Sequence, residues 1–352
     1  MNQEVLSWAQ EQAPWMTAIR REIHANPELS SKEFETAALI RRELTDMGIP
    51  WRAVETGTIA DISGNADGPA IALRADIDAL PMQEETGLPY ASHNSGVMHA
   101  CGHDSHTAML LGAARILQTH ASRLKHPVRL IFQPAEENGG GSARMIAGGA
   151  LENASQVFCL HVLPGTPVGQ LTVRPGYIHA ASDGIRITVH GTSAHGSAPH
   201  KGVDAIVIAS HMVLALQELI SRETSAWEQA VFSIGAFHGG KARNVICDQV
   251  VMDATLRTLN EDVRAELHRR ICEVCEGTAA MLRGSAQVEF VQQYCSCYNN
   301  PELTEETIRN ARALLGEKQV VLLDRPAMES EDFGAYEQLV PGVKLFIGTG
   351  FP

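Results

Sequence analysis

The sequence is poor in positive charge. Its 352 residues include 28 lysines and arginines against 41 aspartates and glutamates, which gives a formal net charge of −13. Because an acidic surface repels phosphate groups, this balance argues against a nucleic-acid-binding protein. Hydrophobic residues make up 44% of the chain, which is enough for a buried core and favours two domains.

The first residues lack the features of a targeting segment. The stretch MNQEVLSWAQEQAPWM has neither a basic start nor an apolar run behind it, so it does not resemble a signal peptide. Further along, we find no apolar run close to the roughly 18 residues that a membrane helix requires. We therefore expect a soluble protein of the cytoplasm, with no membrane partner and no nucleic-acid partner.

The cysteines lack the pairing expected of a disulfide-stabilised or zinc-finger protein. There are seven, an odd number, and no signal peptide precedes them. Cys272 and Cys275 are spaced like a redox or zinc pair. They lie in a segment of helical periodicity, however, so we interpret them as part of a buried helix face. Cys295 and Cys297 have no second pair at zinc-finger spacing.

Short, continuous apolar runs indicate the strands of a buried parallel sheet. They alternate with helical patterns, of which the run at 105–124 is the clearest, and helices at 14–25 and 32–47 precede them. Strands that alternate with helices predict an α/β fold with a doubly wound, mostly parallel sheet. The predicted strands are AIALRA (70–75), VRLIFQ (128–133), QVFCLHV (156–162) and VKLFIG (343–348).

Residues 182–295 have a different order of elements. The pattern predicts strand 184–191, helix 202–222, strands 229–237 and 248–259, helix 261–283 and strand 286–294. This β-α-β-β-α-β order is that of a ferredoxin-like α+β unit. We therefore predict a discontinuous domain of residues 1–181 and 296–352, with a ferredoxin-like domain of residues 182–295 inserted in it.

Polar residues of metal-binding types follow three of the predicted strands. DID (76–78) follows the first strand, PAEEN (134–138) follows the second, and His161 lies at the end of the third. The run HACGHDSH (99–106) comes just before the helix at 105–124. Because ligands gather at the carboxyl edge of a doubly wound sheet, we expect these four segments to meet there.

The residue types in these segments predict a hydrolytic metal site. Cys101 and His103 are two residues apart in a loop, so both can face one ion. A thiolate with imidazoles and carboxylates suits zinc, cobalt, manganese or nickel. In an extended segment, the adjacent Glu136 and Glu137 would point to opposite sides. One could then bind the metal while the other removes a proton from water.

The chain contains, in this order, the motifs LRADIDALP, MHACGHDSHTAMLLGAA, FQPAEENGGGSARMI, LHVLP, GTSAHGSAPHKGVD, ARNVICD and SEDFGAY. Together they resemble the amidohydrolase branch of the aminoacylase/carboxypeptidase metallopeptidase superfamily. That branch includes N-acyl-amino-acid, hippurate and auxin-conjugate hydrolases. The resemblance extends from about residue 15 to residue 350, and the Cys-Gly-His run and the Glu-Glu pair are its most specific parts.

The resemblance implies a centre of two divalent metal ions, for which zinc, manganese, cobalt and nickel are all suitable. Its ligands would be Cys101, His103, Glu137 and His161, with the cysteine bridging the ions. Glu136 matches the catalytic base. Asp78 matches an acid that holds a ligand imidazole by its other N–H.

Three further residues of these segments have no clear match. Asp76 is as well placed as Asp78 to hold an imidazole, and the sequence leaves both possibilities open. His99 and His106 lie in the ligand-bearing run without a matched ligand role. We interpret them as structural residues of the loop and of the helix start.

The inserted domain resembles the family's lid and dimerisation domain. In it, His195 matches a residue that reaches toward a substrate carbonyl, often across the dimer. Asn244 and Arg257 match positions suited to holding the substrate carboxylate or the oxyanion. The resemblance thus implies a homodimer, formed through the inserted domain, that cleaves the amide bond of small N-acyl amino acids. A dipeptidase or carboxypeptidase-type metallopeptidase is the near alternative.

The end of the sequence departs from the family pattern. The family continues beyond FIGTG with a final histidine ligand and a last helix, whereas this sequence ends at Phe351-Pro352. We therefore expect one of the two metals to lack a protein ligand. A catalytically inactive, truncated family member is for this reason the alternative from another functional class.

Overall fold

The structure is a computed structural model that describes residues 2–65, 67–138 and 140–351. The chain divides into two compact units. The large unit consists of Met1–Ile178, Tyr298–Arg325 and Asp332–Pro352, and the small unit consists of His179–Cys297 and Pro326–Glu331.

The helices and strands are numbered along the chain. The helices are α1 (Asn2–Ala25), α2 (Phe34–Asp46), α3 (His103–Thr119), α4 (Gly141–Ala147), α5 (Ala205–Glu218), α6 (Glu261–Met281), α7 (Pro301–Leu315) and α8 (Gly334–Glu337). The strands are β1 (Trp51–Val54), β2 (Gly57–Ile62), β3 (Ala70–Asp76), β4 (Val128–Gln133), β5 (Ala154–Leu163), β6 (Leu171–Val173), β7 (Gly176–His179), β8 (Ala181–His190), β9 (Ala230–Gly239), β10 (Gln249–Thr258), β11 (Ser285–Tyr294), β12 (Cys297–Asn299), β13 (Val320–Leu322) and β14 (Gly342–Gly348). Short 3-10 segments lie at Ala121–Arg123, Pro199–Lys201 and Glu317–Gln319, and a π-helical turn, Leu219–Glu223, extends α5.

The large unit contains an eight-stranded sheet in the order β1-β2-β4-β3-β5-β14-β6-β13. Its central strands β4, β3, β5 and β14 are parallel, and antiparallel neighbours, β2 and β6, flank them. The four central strands are the four continuous apolar runs of the sequence, as expected of strands that are covered on both faces. The predicted α/β fold with a mostly parallel sheet is confirmed.

The register of the parallel strands brings segments from distant parts of the sequence to one edge. Asp76, the last residue of β3, lies opposite Gln133, the last residue of β4. On the other side of β3, β5 runs parallel to it and continues to Leu163. Because the three strands are parallel, the chain leaves all of them at the same edge of the sheet.

An apolar core between the sheet and helices α1 to α3 holds the large unit together. It includes Ile40 and Leu44 of α2, Leu111 of α3, and Leu130 and Phe132 of β4. Each such side chain contributes about 1.5–3 kcal/mol when it is buried. The core therefore sets the position of α3, and with it the position of the polar residues on the first turn of that helix.

The small unit contains a four-stranded antiparallel sheet in the order β11-β8-β10-β9. Helices α5 and α6 share one apolar core with this sheet, and the core includes Ile187, Met212, Met252, Leu256 and Ile271. The elements follow one another as β-α-β-β-α-β, which is the ferredoxin-like arrangement. The predicted ferredoxin-like unit is confirmed.

One helical stretch among the described residues, Ala205–Glu223, is long and apolar enough to cross a membrane. It corrects the expectation that no run approaches that length. Ile208, Ala209 and Met212 of this stretch are buried in the core of the small unit. Length and composition alone are weak evidence for a membrane span, since the core helices of soluble proteins meet the same test.

Some element ends differ from the prediction. Helix α1 begins at Asn2 rather than at residue 14 and carries Pro14 inside it, although proline usually ends a helix. Helix α3 begins at His103 rather than at residue 105, and its N-cap residue, Gly102, has no capping side chain that would mark this start in the sequence. Sequence analysis also missed the short strands β1, β2, β6 and β13, whose three to six residues carry no clear pattern.

Candidate metal centre

Polar side chains of the large unit converge at the carboxyl edge of its sheet. The segments that carry them are the chain after β3, the loop before α3, the bend after β4 and the end of β5. Six of the residues that sequence analysis singled out meet there: Asp78, Cys101, His103, Glu136, Glu137 and His161.

A glycine allows the ligand-bearing loop to approach β5. Gly102 has a φ of 97°, and a Cβ atom at this position would lie 2.5 Å from a side-chain carbon of Val162. Only glycine fits both the left-handed backbone and this close contact. As a result, Sγ of the preceding Cys101 lies 3.5 Å from Nε2 of His161.

Among the described residues, three groups of three potential ligands share His103, and two of them consist of residues that the sequence motifs assign to the site. In one group, atoms of Cys101, His103 and His161 lie within 4.8 Å of one another, and in the other so do atoms of His103, Glu136 and Glu137. Nε2 of His103 is 3.8 Å from Oε1 of Glu137. Two ligand atoms of a tetrahedral zinc site are about 3.5 Å apart, so these distances are compatible with bound divalent ions.

Two buried atoms between these ligands have no hydrogen-bond partner within the described part of the chain. They are Nε2 of His103 and Oε1 of Glu137. An unpaired buried polar atom is costly, and native proteins contain few of them. A divalent cation explains both atoms, because it would bind the imidazole nitrogen and the carboxylate oxygen together. The donor set of thiolate, imidazoles and carboxylates fits zinc, cobalt, manganese or nickel.

Asp78 connects three of the converging segments. Its Oδ1 lies 3.2 Å from Nδ1 of His103, and its two oxygens accept hydrogen bonds from the backbone N–H groups of Glu136 (3.2 Å) and Glu137 (3.1 Å). The hydroxyl of Ser30 donates to Oδ2 at 2.6 Å. Asp78 thus orients the His103 ring by one nitrogen and leaves the other for a metal.

Asp76, the alternative to Asp78, has different partners. Its Oδ1 is 2.5 Å from Nδ1 of His106, and its Oδ2 accepts a hydrogen bond from Arg74 at 2.6 Å. Nε2 of His106 accepts the backbone N–H of Val162 at 2.9 Å, so both nitrogens of this ring are engaged. Asp76, His103 and His106 could form a third metal-binding group by distance. Because His106 and Arg74 already occupy Asp76, we interpret Asp76 and His106 as structural.

The surroundings of His103 shift the pKa values of the ligands. Burial lowers the pKa of His103, but the carboxylates of Asp76 and Asp78 outweigh burial and hold this pKa well above its usual range. Burial also raises the pKa of the Cys101 thiol and of the Glu137 carboxyl. These three candidate ligands therefore hold their protons more tightly than usual, and a divalent cation that bound to them would release these protons.

Glu136 and Glu137 do not lie on an extended segment. Strand β4 ends at Gln133, and the pair follows on a bend that Ala135 enters with a φ of 51°. Both carboxylates lie within 4.8 Å of a ring nitrogen of His103. The expectation that these two side chains point to opposite sides is therefore wrong, because it assumed the geometry of a strand.

In the small unit, the structure brings His195 and Asn244 together. His195 forms an isolated bridge with Val245, and the N–H of Gly196 donates to the carbonyl of Asn244 at 2.7 Å. The backbone N–H of Ser197 donates to Nδ1 of His195 at 3.2 Å. Nδ1 also lies 2.8 Å from the hydroxyl of Ser197, so Nε2 is the ring nitrogen of this exposed residue that is left to donate a hydrogen bond.

Arg257 lies at a different place in the small unit. It lies on β10, opposite Ser182 of β8 and Val231 of β9. Its Nη1 is buried and has no hydrogen-bond partner among the residues that the structure describes. The first residue of β10, Gln249, pairs with the last residue of β8. Because a strand rises about 3.3 Å per residue, Arg257 lies about 26 Å from that end.

Sequence analysis missed a buried polar network beside the metal-binding groups. Arg74 of β3 donates to Gln133 at 2.9 Å and to Asp332 at 2.8 Å, and Gln133 also donates to Asp332. The backbone N–H of Asp332 is 3.4 Å from Oε1 of Glu136, which links the network to the site. The signal in the sequence was a charged residue inside the apolar run AIALRA, because such a residue requires buried partners.

His99 is buried in the loop that carries Cys101. Burial lowers its pKa to about 4, and neither ring nitrogen has a hydrogen-bond partner in the described residues. The ring lies 6.4 Å from that of His24, measured between centroids. The interpretation of His99 as a structural residue of the loop stays a prediction.

Several known proteins are similar to this chain over most of its length. The chain is 42% identical to the N-acetyl-L-cysteine deacetylase of Bacillus subtilis over 336 residues, which are 95% of this chain and 80% of that protein. It is 37% identical to thermostable carboxypeptidase 2 of Saccharolobus solfataricus over 341 residues, 95% of this chain and 86% of that protein. A crystal structure of a dinuclear metal-binding peptidase of the M20 family from Bacillus subtilis superimposes with a TM-score of 0.83, at 36% identity, and the match covers 97% of this chain and 89% of that one.

The fold and the cluster of donors define a metal-dependent hydrolase. A sequence profile of the peptidase family M20/M25/M40 matches residues 72–351. The chain belongs to this family, and its relatives include hydrolases, deacetylases and amidohydrolases. The identification of the chain as a metal-dependent amidohydrolase, made from the motifs, is confirmed.

Proposed function

We propose that the protein hydrolyses the amide bond of N-acyl amino acids at a centre of two divalent metal ions. The observation that carries the proposal is the convergence of Cys101, His103, Glu137 and His161, with the carboxylate of Glu136 beside them. The unpaired Nε2 of His103 and Oε1 of Glu137 support a metal there. The similarity to an N-acetyl-L-cysteine deacetylase supports N-acyl amino acids as the substrate class.

The chemistry that bound divalent ions supply is polarisation of the amide carbonyl and acidification of a water molecule. Cys101, His103, Glu137 and His161 would hold the ions. The carboxylate of Glu136 takes a proton from the attacking water and delivers it to the leaving amine. The native metal would be zinc, manganese, cobalt or nickel, all of which these donors suit.

Three residues of the small unit would bind the substrate. His195 would donate its Nε2–H to the carbonyl oxygen as negative charge develops on it. The side chain of Asn244 would add a second polar contact near His195. Arg257 has a buried Nη1 that lacks a partner in the described residues, and its planar guanidinium can bind a carboxylate by two hydrogen bonds.

The positions of these residues favour a homodimer, formed through the small unit, with shared sites. His195 pairs with Val245, and Asn244 and Val245 precede β10, which begins at Gln249, whereas Arg257 lies about 26 Å along the strand from Gln249. This separation is much longer than an N-acyl amino acid. One substrate can therefore contact both sets only if they come from two copies of the chain. We propose that each protomer supplies His195 and Asn244 to the site of its partner.

Steady-state hydrolysis tests the proposed activity. The protein would be loaded with two equivalents of zinc, manganese, cobalt or nickel and assayed on N-acetyl-L-cysteine, N-acetyl-L-methionine and hippurate. Release of the free amino acid with at least one metal is expected. Protein that binds two equivalents but hydrolyses none of these compounds would contradict the proposal and favour an inactive family member.

Subunit complementation tests the shared sites. His195→Ala and Glu136→Gln are each expected to be inactive. Unfolding and refolding the two variants together gives mixed dimers, in which one of the two sites has both residues intact. Because half of the dimers are mixed, activity should return to about a quarter of the wild-type value. Two inactive variants that stay inactive as confirmed mixed dimers would show that His195 acts within its own chain.

A carboxypeptidase-type activity is the second candidate. The similarity to a thermostable carboxypeptidase favours it, because that enzyme type also binds a free α-carboxylate. Short dipeptides, assayed beside the N-acyl amino acids, separate the two candidates by their ratio of kcat/KM. A higher value for the dipeptides would establish the second candidate and overturn the first.

We also propose that the enzyme acts in the cytoplasm. Cys101 must be a thiolate to bind a metal, and a reducing compartment keeps thiols available. Cell fractionation with an antibody to the protein tests this. Recovery in the membrane fraction or outside the cell would overturn it.

A further inference from the structure

A buried carboxyl group lies next to the bend that carries Glu136 and Glu137. Glu33, which precedes α2, has a relative exposure of 0%. Within the described residues no basic side chain forms an ion pair with it. Because burying a carboxyl without a basic partner is costly, the groups that it contacts indicate its role.

Three separate segments of the large unit donate hydrogen bonds to Glu33. The backbone N–H groups of Ala135 and Ser31 each donate to Oε1 at 2.9 Å. The hydroxyl of Thr56 donates to Oε2 at 2.7 Å. Glu33 thus joins the loop after α1 and the turn between β1 and β2 to the bend after β4.

The contact with Ala135 holds a strained conformation. Ala135 is fully buried and has a φ of 51°, in the left-handed region that residues other than glycine rarely adopt. Its N–H is held by Glu33, and its carbonyl accepts the N–H of Gly141 at 3.1 Å. Such a conformation persists only where surrounding contacts impose it.

Two buried carboxyl groups bind three successive backbone N–H groups of this bend. Glu33 accepts from Ala135, and Asp78 accepts from Glu136 and Glu137. Asp78 fixes the two glutamate backbones, whereas Glu33 fixes the residue whose φ sets the direction in which the chain enters the pair. A change at Ala135 would therefore turn the carboxylates of both glutamates away from His103.

We propose that Glu33 is the positioning residue of the general base. By binding the N–H of Ala135, it keeps the bend in the conformation that places the Glu136 carboxylate beside the metal ligands. The inference rests on the proposed role of Glu136 as base. Within the described residues, the hydrogen bonds of the Glu33 side chain are to Ser31, Thr56 and Ala135, none of which is a proposed metal ligand, so Glu33 acts on Glu136 through the backbone of Ala135.

Three variants distinguish a role of Glu33 in positioning Glu136 from a role in stabilising the fold alone. Glu33→Ala removes all three hydrogen bonds. Glu33→Gln keeps an oxygen that can accept hydrogen bonds from the N–H groups of Ala135 and Ser31. Its amide nitrogen would face Thr56, whose hydroxyl can rotate to accept a hydrogen bond from it. Thr56→Val removes one hydrogen bond from the same carboxyl group but leaves the contact with Ala135 in place. It is therefore the matched control for stability.

We expect kcat to fall in the variant that loses the hydrogen bond to Ala135, and not in a variant that is only less stable. Since a misplacement of about 1 Å can cost about 100-fold in rate, Glu33→Ala should lower kcat by about 10- to 100-fold with little change in KM. Glu33→Gln should restore most of this loss. Thr56→Val should lower the melting temperature but keep kcat within about twofold of the wild type. A kcat for Thr56→Val as low as that of Glu33→Ala would overturn the proposal.

A second substitution at the bend makes the test specific. Glycine adopts a positive φ without strain, so Ala135→Gly should reduce the need for Glu33. Added to Glu33→Ala, it should raise kcat, although glycine makes the unfolded chain more flexible and lowers stability. If Glu33 merely stabilised the fold, the double variant would be less active than Glu33→Ala, and that result would refute positioning.

A structural measurement tests the inference independently of activity. Crystal structures of metal-free Glu33→Ala and Glu33→Gln report the φ of Ala135 directly. It should leave the left-handed region in the first variant and keep it in the second. An unchanged φ in Glu33→Ala would overturn the proposal. Failure of the wild-type enzyme to hydrolyse any substrate would instead contradict the proposed function, and the φ values would still decide the positioning role.

Discussion

Nδ1 of His103 and Oδ1 of Asp78 are 3.2 Å apart, and this contact decides which ring nitrogen is available to a metal. With Nδ1 bound to Asp78, the buried Nε2 faces Glu137 at 3.8 Å. The carboxylate of Asp78 also accepts hydrogen bonds from the backbone N–H groups of Glu136 and Glu137. Asp78 therefore aligns a candidate ligand from α3 with a candidate ligand from the bend after β4.

Asp78→Asn should weaken metal binding about 10- to 100-fold, the usual effect of losing a carboxylate that orients a ligand imidazole. Competition between the protein and a chelator of known affinity measures this change. Asp61→Asn is the control, because Asp61 pairs with Arg129 at the surface, at 2.7 Å. Equal metal affinity in Asp78→Asn and the wild type would show that Asp78 does not orient His103.

Glu136→Gln should keep the metal and lose turnover. The amide occupies the same space but cannot take a proton, and general-base catalysis contributes typically about 10²- to 10⁴-fold in rate. Metal content by elemental analysis and kcat on N-acetyl-L-methionine measure the two effects separately. Glu35→Gln, on the exposed face of α2, is the control. Unchanged kcat in Glu136→Gln would remove this residue as the base.

Cys101→Ser should abolish the thiolate-to-metal absorption of the cobalt-loaded protein. A thiolate bound to cobalt absorbs in the near ultraviolet, whereas a serine hydroxyl does not give this band. Cys272→Ser is the matched control, because Cys272 is a partly exposed cysteine on α6 of the small unit. If the band persisted in Cys101→Ser, or disappeared in Cys272→Ser, Cys101 would not be the cysteine that binds the metal.

His24→Gln should destabilise the protein more at low pH than at high pH. Nδ1 of His24 is 2.8 Å from Asp104, next to His103 on the first turn of α3, and this hydrogen bond raises the pKa of His24 above its ordinary value of 6.5. A raised pKa in the folded state adds stability that is fully present below pH 6.5. This stability is lost as the pH rises through the folded-state pKa.

Melting temperatures at pH 5.5, 7 and 8.5 measure the effect of His24→Gln. The difference between the wild type and the variant should shrink as the pH rises. The exposed His211→Gln on α5 should show no such trend. A difference for His24→Gln that is the same at all three pH values would show that the proton on His24 does not stabilise the fold.

The sheet could be predicted because its central strands carry an unambiguous pattern. Continuous apolar runs such as AIALRA and VRLIFQ identify strands that are covered on both faces, and they became β3 and β4. The short flanking strands have no such pattern, and their pairing depends on neighbours distant in sequence. The start of α3 was misplaced for a similar reason, since Gly102 provides no capping side chain to mark it.

The choice between Asp76 and Asp78 could not be made from sequence. The two residues are two positions apart and have the same apolar strand before them, so no local pattern distinguishes them. In the structure Asp76 lies between His106 and Arg74, whereas Asp78 reaches His103 and the bend after β4. Their partners come from other elements, and only packing brings those elements close.

The sequence by itself determined the chemical types of the donors, their order along the chain and the strands that carry them, because these depend on composition and short-range pattern. Only the tertiary structure decided which nitrogen of His103 faces Glu137, that the Glu136–Glu137 pair lies on a bend after Ala135, and that His195 pairs with Val245. The physical reason is that each of these features is set by contacts between residues tens to hundreds of positions apart, such as those of Glu33 with Ala135 and of Arg74 with Asp332.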